Sequence, residues 1–120
     1  DPDAVMAQFD ELVTAGHKLG DHVTLVPTPG HTPGHVSVQI ESGGRLALIT
    51  GDAIHTTAQC RHPEWHFKYD SDPEQAVTSR RSLLEQAAES RCLVLGSHFA
   101  LPSLGRVGAQ NGIFSWEELD

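Results

Sequence analysis

At 120 residues the chain is long enough for one small domain or a piece of a larger one. Hydrophobic residues make up 38% and charged residues 20%, which excludes a disordered tail, and no apolar run approaches the length of a membrane span. Sixteen acidic against eight basic residues give a formal net charge of −8, which argues against nucleic acid as a partner.

In chain order, Asp1-Pro2 reads as a helix cap with proline in the first turn. Val5, Met6, Phe9, Leu12 and Val13 recur at helical spacing until Gly16 and Gly20 stop them, with His17 on the surface. His22–Val26 reads as a strand. Three prolines and two glycines from Pro27 to Gly34 exclude regular structure there. Val36, Val38 and Ile40 then alternate with polar residues, and Ser42-Gly43-Gly44 turns the chain into a hairpin partner, Arg45–Thr50, which Gly51-Asp52 ends. Residues 53–71 lack periodicity, and a connection of that length is usually functional or mobile.

Asp72-Pro73-Glu74-Gln75 starts a helix, with Asp72 as N-cap and Gln75 completing a capping box. Its apolar stripe is Ala76, Val77, Leu83, Leu84, Ala87 and Ala88, while Arg80-Arg81 reads as a solvated face, with Arg80 within reach of Asp70 or Asp72. Cys92–Gly96 is a further strand, followed by Ser97-His98-Phe99. Asn111-Gly112 between Arg106–Ala109 and Ile113–Trp116 signals a hairpin. Cys60 and Cys92 lack the spacing of a redox or zinc pair and read as free thiols, Cys92 buried. Leu46–Ile49 and Leu93–Leu95 are apolar on both faces, which implies a sheet covered on both sides. Two helices suffice for one face, so the other cover is expected from outside these residues. The opening Asp1-Pro2-Asp3, without an initiator methionine, suits a processed chain or an excised piece.

Three polar residues occupy equivalent places: His31, Asp52 and His98 each follow a strand and can converge on one rim of a sheet. Singly, such histidines are ordinary loop residues and such an aspartate an ordinary turn former. Together they offer the imidazole and carboxylate donors that a zinc-like cation accepts, and a carboxylate can bridge two cations. His35 reads first as a structural hydrogen-bonding residue. His55 could touch substrate or support a ligand, and Trp65, His66, His62 and Phe67 could line a pocket.

The stretch Thr28-Pro29-Gly30-His31-Thr32-Pro33-Gly34-His35, then Thr50-Gly51-Asp52, then Gly96-Ser97-His98-Phe99 resembles the second half of a metallo-β-lactamase-fold hydrolase. The spacings suit the branch of methyl parathion hydrolase and the N-acyl homoserine lactonases, as do Trp65…Asp70-Ser71-Asp72…Ser79-Arg80 and His98-Phe99…Pro102…Gly105. The resemblance, from about Val23 to Val107, implies an α/β fold with α+β layering: the C-terminal half of an αββα sandwich, one mainly antiparallel sheet with helices on one face. It implies two divalent metals, zinc first, with iron, manganese or cobalt as alternatives. His31 would bind one metal, Asp52 would bridge both and act in catalysis, and His98 would bind the second. A hydroxide between the metals would cleave a lactone, ester or phosphotriester bond of a small molecule.

The family's HxHxDH motif is missing, and His62-Pro63-Glu64-Trp65-His66 is only an imitation of it. Residues 1–120 are therefore expected to be the C-terminal portion of one domain, inactive without the N-terminal half. Two alternatives stand beside this reading: a non-catalytic half-domain that binds a partner, and a thioester hydrolase or sulfur dioxygenase of the same superfamily. No targeting segment is visible, a cytoplasmic location is the expectation, and a homo-oligomer is left open.

Overall fold

A computed structural model describes residues 13–14, 16–100 and 103–119. The helix expected at the start falls on residues 1–12, outside them; Val13 and Thr14 are not helical, and His17 leads into a strand instead. Seven strands form one sheet in sequence order: β1 (Lys18–Leu19), β2 (Val23–Pro27), β3 (Val36–Ser42), β4 (Arg45–Ile49), β5 (Leu93–Leu95), β6 (Leu104–Gln110) and β7 (Ile113–Glu118). Every neighbouring pair is antiparallel except β4 and β5, which are parallel. A parallel pair needs a long crossover, here the connection with its short helix α1 (Ala58–Arg61) and the 18-residue helix α2 (Pro73–Ser90). Asn111 and Gly112, both at positive φ, make the tight β6–β7 turn that their sequence signals.

Side chains alternate across the sheet, so each ladder partner shares a face. One face carries Leu48, Val94, Val107 and Phe114, packed with Leu83, Leu84 and Ala87 of α2 and with Ala53, Ile54, Cys60, Cys92 and Phe99. On the other face Val23, Ile40, Ala47 and Leu93 lie in register, as do Leu25, Val38, Ile49, Leu95 and Leu104. None of these nine is buried, and both described helices pack on the opposite side. The sheet is thus mainly antiparallel with helices on one face, as expected. Among the described residues no helix is long and apolar enough to cross a membrane.

Two local expectations are corrected. Asp72 caps α2 by accepting from Gln75 N–H at 3.1 Å, but its own N–H donates to Gly30 O at 2.8 Å, so the capping box is not closed. Residues 53–71 send Ala53, Ile54 and Cys60 into the core. Arg80 lies in the buried stripe of α2 and is fully buried, while Arg81 is exposed.

Both cysteines are free and buried. Burial pushes the Cys60 thiol up to about 11 from 9.0. Because the folded-state value is raised, the protonated thiol's contribution is intact below pH 9.0 and is lost as the pH rises toward about 11. Denaturant titrations across that interval should show stability falling by about 3 kcal/mol more in the parent than in Cys60→Ala.

Candidate metal centre

Strand directions decide which ends meet. The β2–β3 and β3–β4 reversals point β2 the same way as β4, and β5 runs parallel to β4. The residues that follow β2, β4 and β5 therefore emerge at one rim, and these include His31, Asp52 and His98.

Each of these segments is fixed locally. The His31 loop rests on the start of α2: Asp72 N–H donates to Gly30 O, Ser71 N–H to His31 O at 3.1 Å, and Ser79 Oγ to Pro29 O at 2.7 Å. Gly30 sits at φ 135°, and a Cβ there would overlap the Ala76 backbone, so only glycine lets loop and helix approach. Asp52 lies in a 3-10 turn, Gly51–Ala53, and its N–H donates to His35 Nε2 at 2.9 Å. His35 Nδ1 lies 3.1 Å from Thr28 O and 2.9 Å from Thr28 Oγ1. An acceptor at Nε2 and a carbonyl at Nδ1 define a neutral ring protonated at Nδ1. Burial, partly offset by the Thr28 carbonyl bond and Asp52, lowers the His35 pKa and suits that neutral form. His98 precedes Phe99, whose buried ring meets Trp116 edge-on at 4.9 Å.

The two Asp52 carboxylate oxygens face different imidazoles. Oδ2 is 3.2 Å from His31 Nε2, and Oδ1 accepts from His98 Nε2 at 2.6 Å. His31 Nδ1 donates to Asp70 Oδ1 at 2.9 Å, which leaves the Nε2 lone pair turned toward Asp52 in the neutral ring. Two acceptors at that separation repel unless a proton or a cation lies between them. A cation about 2.0–2.2 Å from each of two tetrahedral donors would hold them about 3.3 Å apart, close to the His31–Asp52 spacing. His55 adds a further donor: its ligand atom lies within 4.8 Å of those of His31 and Asp52, and its Nδ1 is buried without a hydrogen-bond partner among the described residues. The donor set fits a divalent cation.

Burial raises the proton affinity of Asp52, but the His98 hydrogen bond and the charges of His31, His98 and His55 outweigh it and hold the carboxyl below its ordinary value. Burial lowers the His55 pKa against the pull of Asp52 and Asp70. The ring stacks on Phe67 at 3.7 Å and on His98 at 5.1 Å. His31, Asp52, His55, Phe67 and His98 line a cleft of about 340 Å³.

The structure thus brings together His31, Asp52, His98 and His55, with His35 behind Asp52. It does not bring Trp65 or His66 to the cleft: both are exposed, and Trp65 stacks on His62 at 4.2 Å instead. Asp70, which the sequence offers only within a motif and as a partner for Arg80, is buried against His31. His31 is 39 residues away, so no local spacing reveals that contact.

A family model described as metallo-beta-lactamase superfamily matches residues 6–98. The chain belongs to the metallo-beta-lactamase superfamily. Within it, an N-acyl homoserine lactonase from Bacillus cereus is 30% identical over 89 residues, which cover 73% of this chain and 35% of that protein. The uncharacterized protein YobT of Bacillus subtilis is 30% identical over 102 residues, covering 79% and 42%. The structure of AidC, described as a dizinc quorum-quenching lactonase in complex with a product, superposes with a TM-score of 0.84 at 30% identity, over 92% of this chain and 38% of AidC. This superfamily chain therefore spans about two-fifths of the length of such relatives, and its fold is that of the matching portion of AidC.

Gly51 tests how tightly the Asp52 turn is held. Its φ is 56°, and a Cβ would meet His35 Nε2 at 2.8 Å. Gly51→Ala should cost about 1–3 kcal/mol in thermal or denaturant unfolding. It should also weaken zinc binding in a chelator competition, because His35 can give way only by releasing the Asp52 N–H.

Proposed function

We propose that the chain is the C-terminal portion of a dinuclear metal-dependent hydrolase that acts on a neutral lactone, ester or phosphotriester. The observation that carries this reading is Asp52, whose two oxygens are directed at two separate imidazoles. A carboxylate so placed could serve two cations, with His31 holding one and His98, here hydrogen-bonded to Asp52 Oδ1 at 2.6 Å, giving up that bond to hold the other. Two divalent cations, zinc first and iron, manganese or cobalt as alternatives, would supply Lewis acidity and lower the pKa of water. The chain's own residues bind and orient. His35 fixes the Asp52 backbone, Asp70 fixes the His31 ring, and the His55–Phe67 stack offers one apolar wall and one imidazole to a substrate. The net charge of −8 gives no attraction to anionic substrates and favours neutral ones.

The remaining ligands and the cover of the apolar sheet face would come from an N-terminal portion. Two features support this: nine in-register apolar residues left unburied, and a chain about two-fifths as long as its relatives. A partner-binding module would also account for that face but not for the bracketed Asp52. Thioester hydrolysis would use the same donors, and substrate assays separate it.

Metal analysis of the complete protein should find two divalent ions per chain, and turnover should appear with one class in a panel of lactones, esters, thioesters and phosphotriesters. Asp52→Ala should lose at least one ion and abolish turnover, because the cations it helps hold would supply the Lewis acidity and the lowered water pKa. His66→Ala should keep both ions. An Asp52→Ala protein that retains two ions and full turnover would remove the bridging role.

A further inference from the structure

We propose that Asp70 and Arg80 are positioning residues for the centre: Asp70 sets the tautomer and donor strength of His31, and Arg80 holds Asp70 and the Asp52 turn in fixed relation. This rests on the reading of His31 as a metal ligand. Both side chains are completely buried, and Arg80 Nη2 lies 3.8 Å from Asp70 Oδ2. Among the described residues neither of those two atoms has a hydrogen-bond partner, whereas Asp70 Oδ1 accepts from His31 Nδ1 at 2.9 Å. The carboxylate therefore faces one imidazole and one guanidinium.

The rest of the guanidinium is committed to backbone. Nε donates to Ala53 O at 2.9 Å, and Nη1 donates to Pro63 O at 2.7 Å and Trp65 O at 3.2 Å. Ala53 directly follows Asp52, so one rigid side chain touches the turn that carries Asp52 and the carboxylate that orients His31. The His31–Asp52 spacing is set through that contact rather than by either loop alone. A metal-binding imidazole whose far N–H meets a carboxylate keeps one tautomer and becomes a stronger donor.

Asp70→Asn separates charge from shape, because the amide keeps an acceptor oxygen for His31 Nδ1–H and loses the negative charge. In the complete protein, zinc dissociation constants from chelator competition should weaken about 10–100-fold in Asp70→Asn, and further in Asp70→Ala. A purely structural role predicts a lower melting temperature with unchanged zinc affinity, and that result overturns the proposal. His31→Ala is the control. If it loses zinc while Asp70→Asn does not, the positioning role fails and the ligand assignment stands. If His31→Ala binds zinc like the parent, the ligand assignment itself fails. Should Asp70→Asn not fold, the zinc-free parent, in which no cation blocks Nε2, decides by long-range proton–nitrogen NMR of labelled histidines. A His31 ring protonated at Nδ1 supports the proposal, and one protonated at Nε2 overturns it.

Discussion

A guanidinium taken wholly out of water must find acceptors for its donors, and the site is arranged around that requirement. Arg80 is such a group. Three of its hydrogen bonds end on carbonyls of the connection between β4 and α2, at Ala53, Pro63 and Trp65. Gln59 continues the pattern, accepting from His55 N–H at 2.7 Å and donating to Trp65 O at 3.0 Å. Buried backbone groups outside helices and strands still need partners, and here side chains supply them. The connection is fixed without periodic structure, and His55 and Phe67 acquire their places at the cleft as a consequence.

Arg80 can act this way only because α2 is itself seated. Its N-terminus is tied to the His31 loop by Asp72, Ser71 and Ser79, and Gly30 allows the close approach. Its apolar stripe is held against Leu48 and Val94, the central residues of the parallel pair whose ends carry Asp52 and His98. Helix, loop and sheet therefore converge on the same few atoms, and a shift in any of them moves the carboxylate relative to the imidazoles.

Much of this was legible in the chain because it is periodic or local. The alternation in Val36–Ile40, the turn at Asn111-Gly112 and the cap at Asp72 each depend on residues close in sequence. The rim shared by His31, Asp52 and His98 follows from strand ends once the two hairpin reversals before β4 are counted. Arg80 departs from the expected wet face, which two adjacent arginines on a helix suggest, although its reach to Asp70 is visible in the sequence. Its spacing from Ala76, Leu83, Leu84 and Ala87 nevertheless places it in the middle of the buried stripe, and a charge at such a position marks a buried partner. Asp70 is marked in the chain only as a partner within reach of Arg80, since its relation to His31 exists only after the fold closes.

The uncovered sheet face and the rim share one geometry. Ile49 and Leu95 lie on the apolar face near the ends of β4 and β5, and those strands lead to Asp52 and His98. Under the proposed reading, an N-terminal portion that packed on this face would bring its own ligands to the same rim. Closing the hydrophobic surface and completing the donor set would then be one event. Metal binding would stabilise the assembled form selectively, because the dispersed form lacks the full set. The two halves would be coupled through the cations as well as through apolar contact. Asp52, with one oxygen toward each imidazole, is where that coupling would pass.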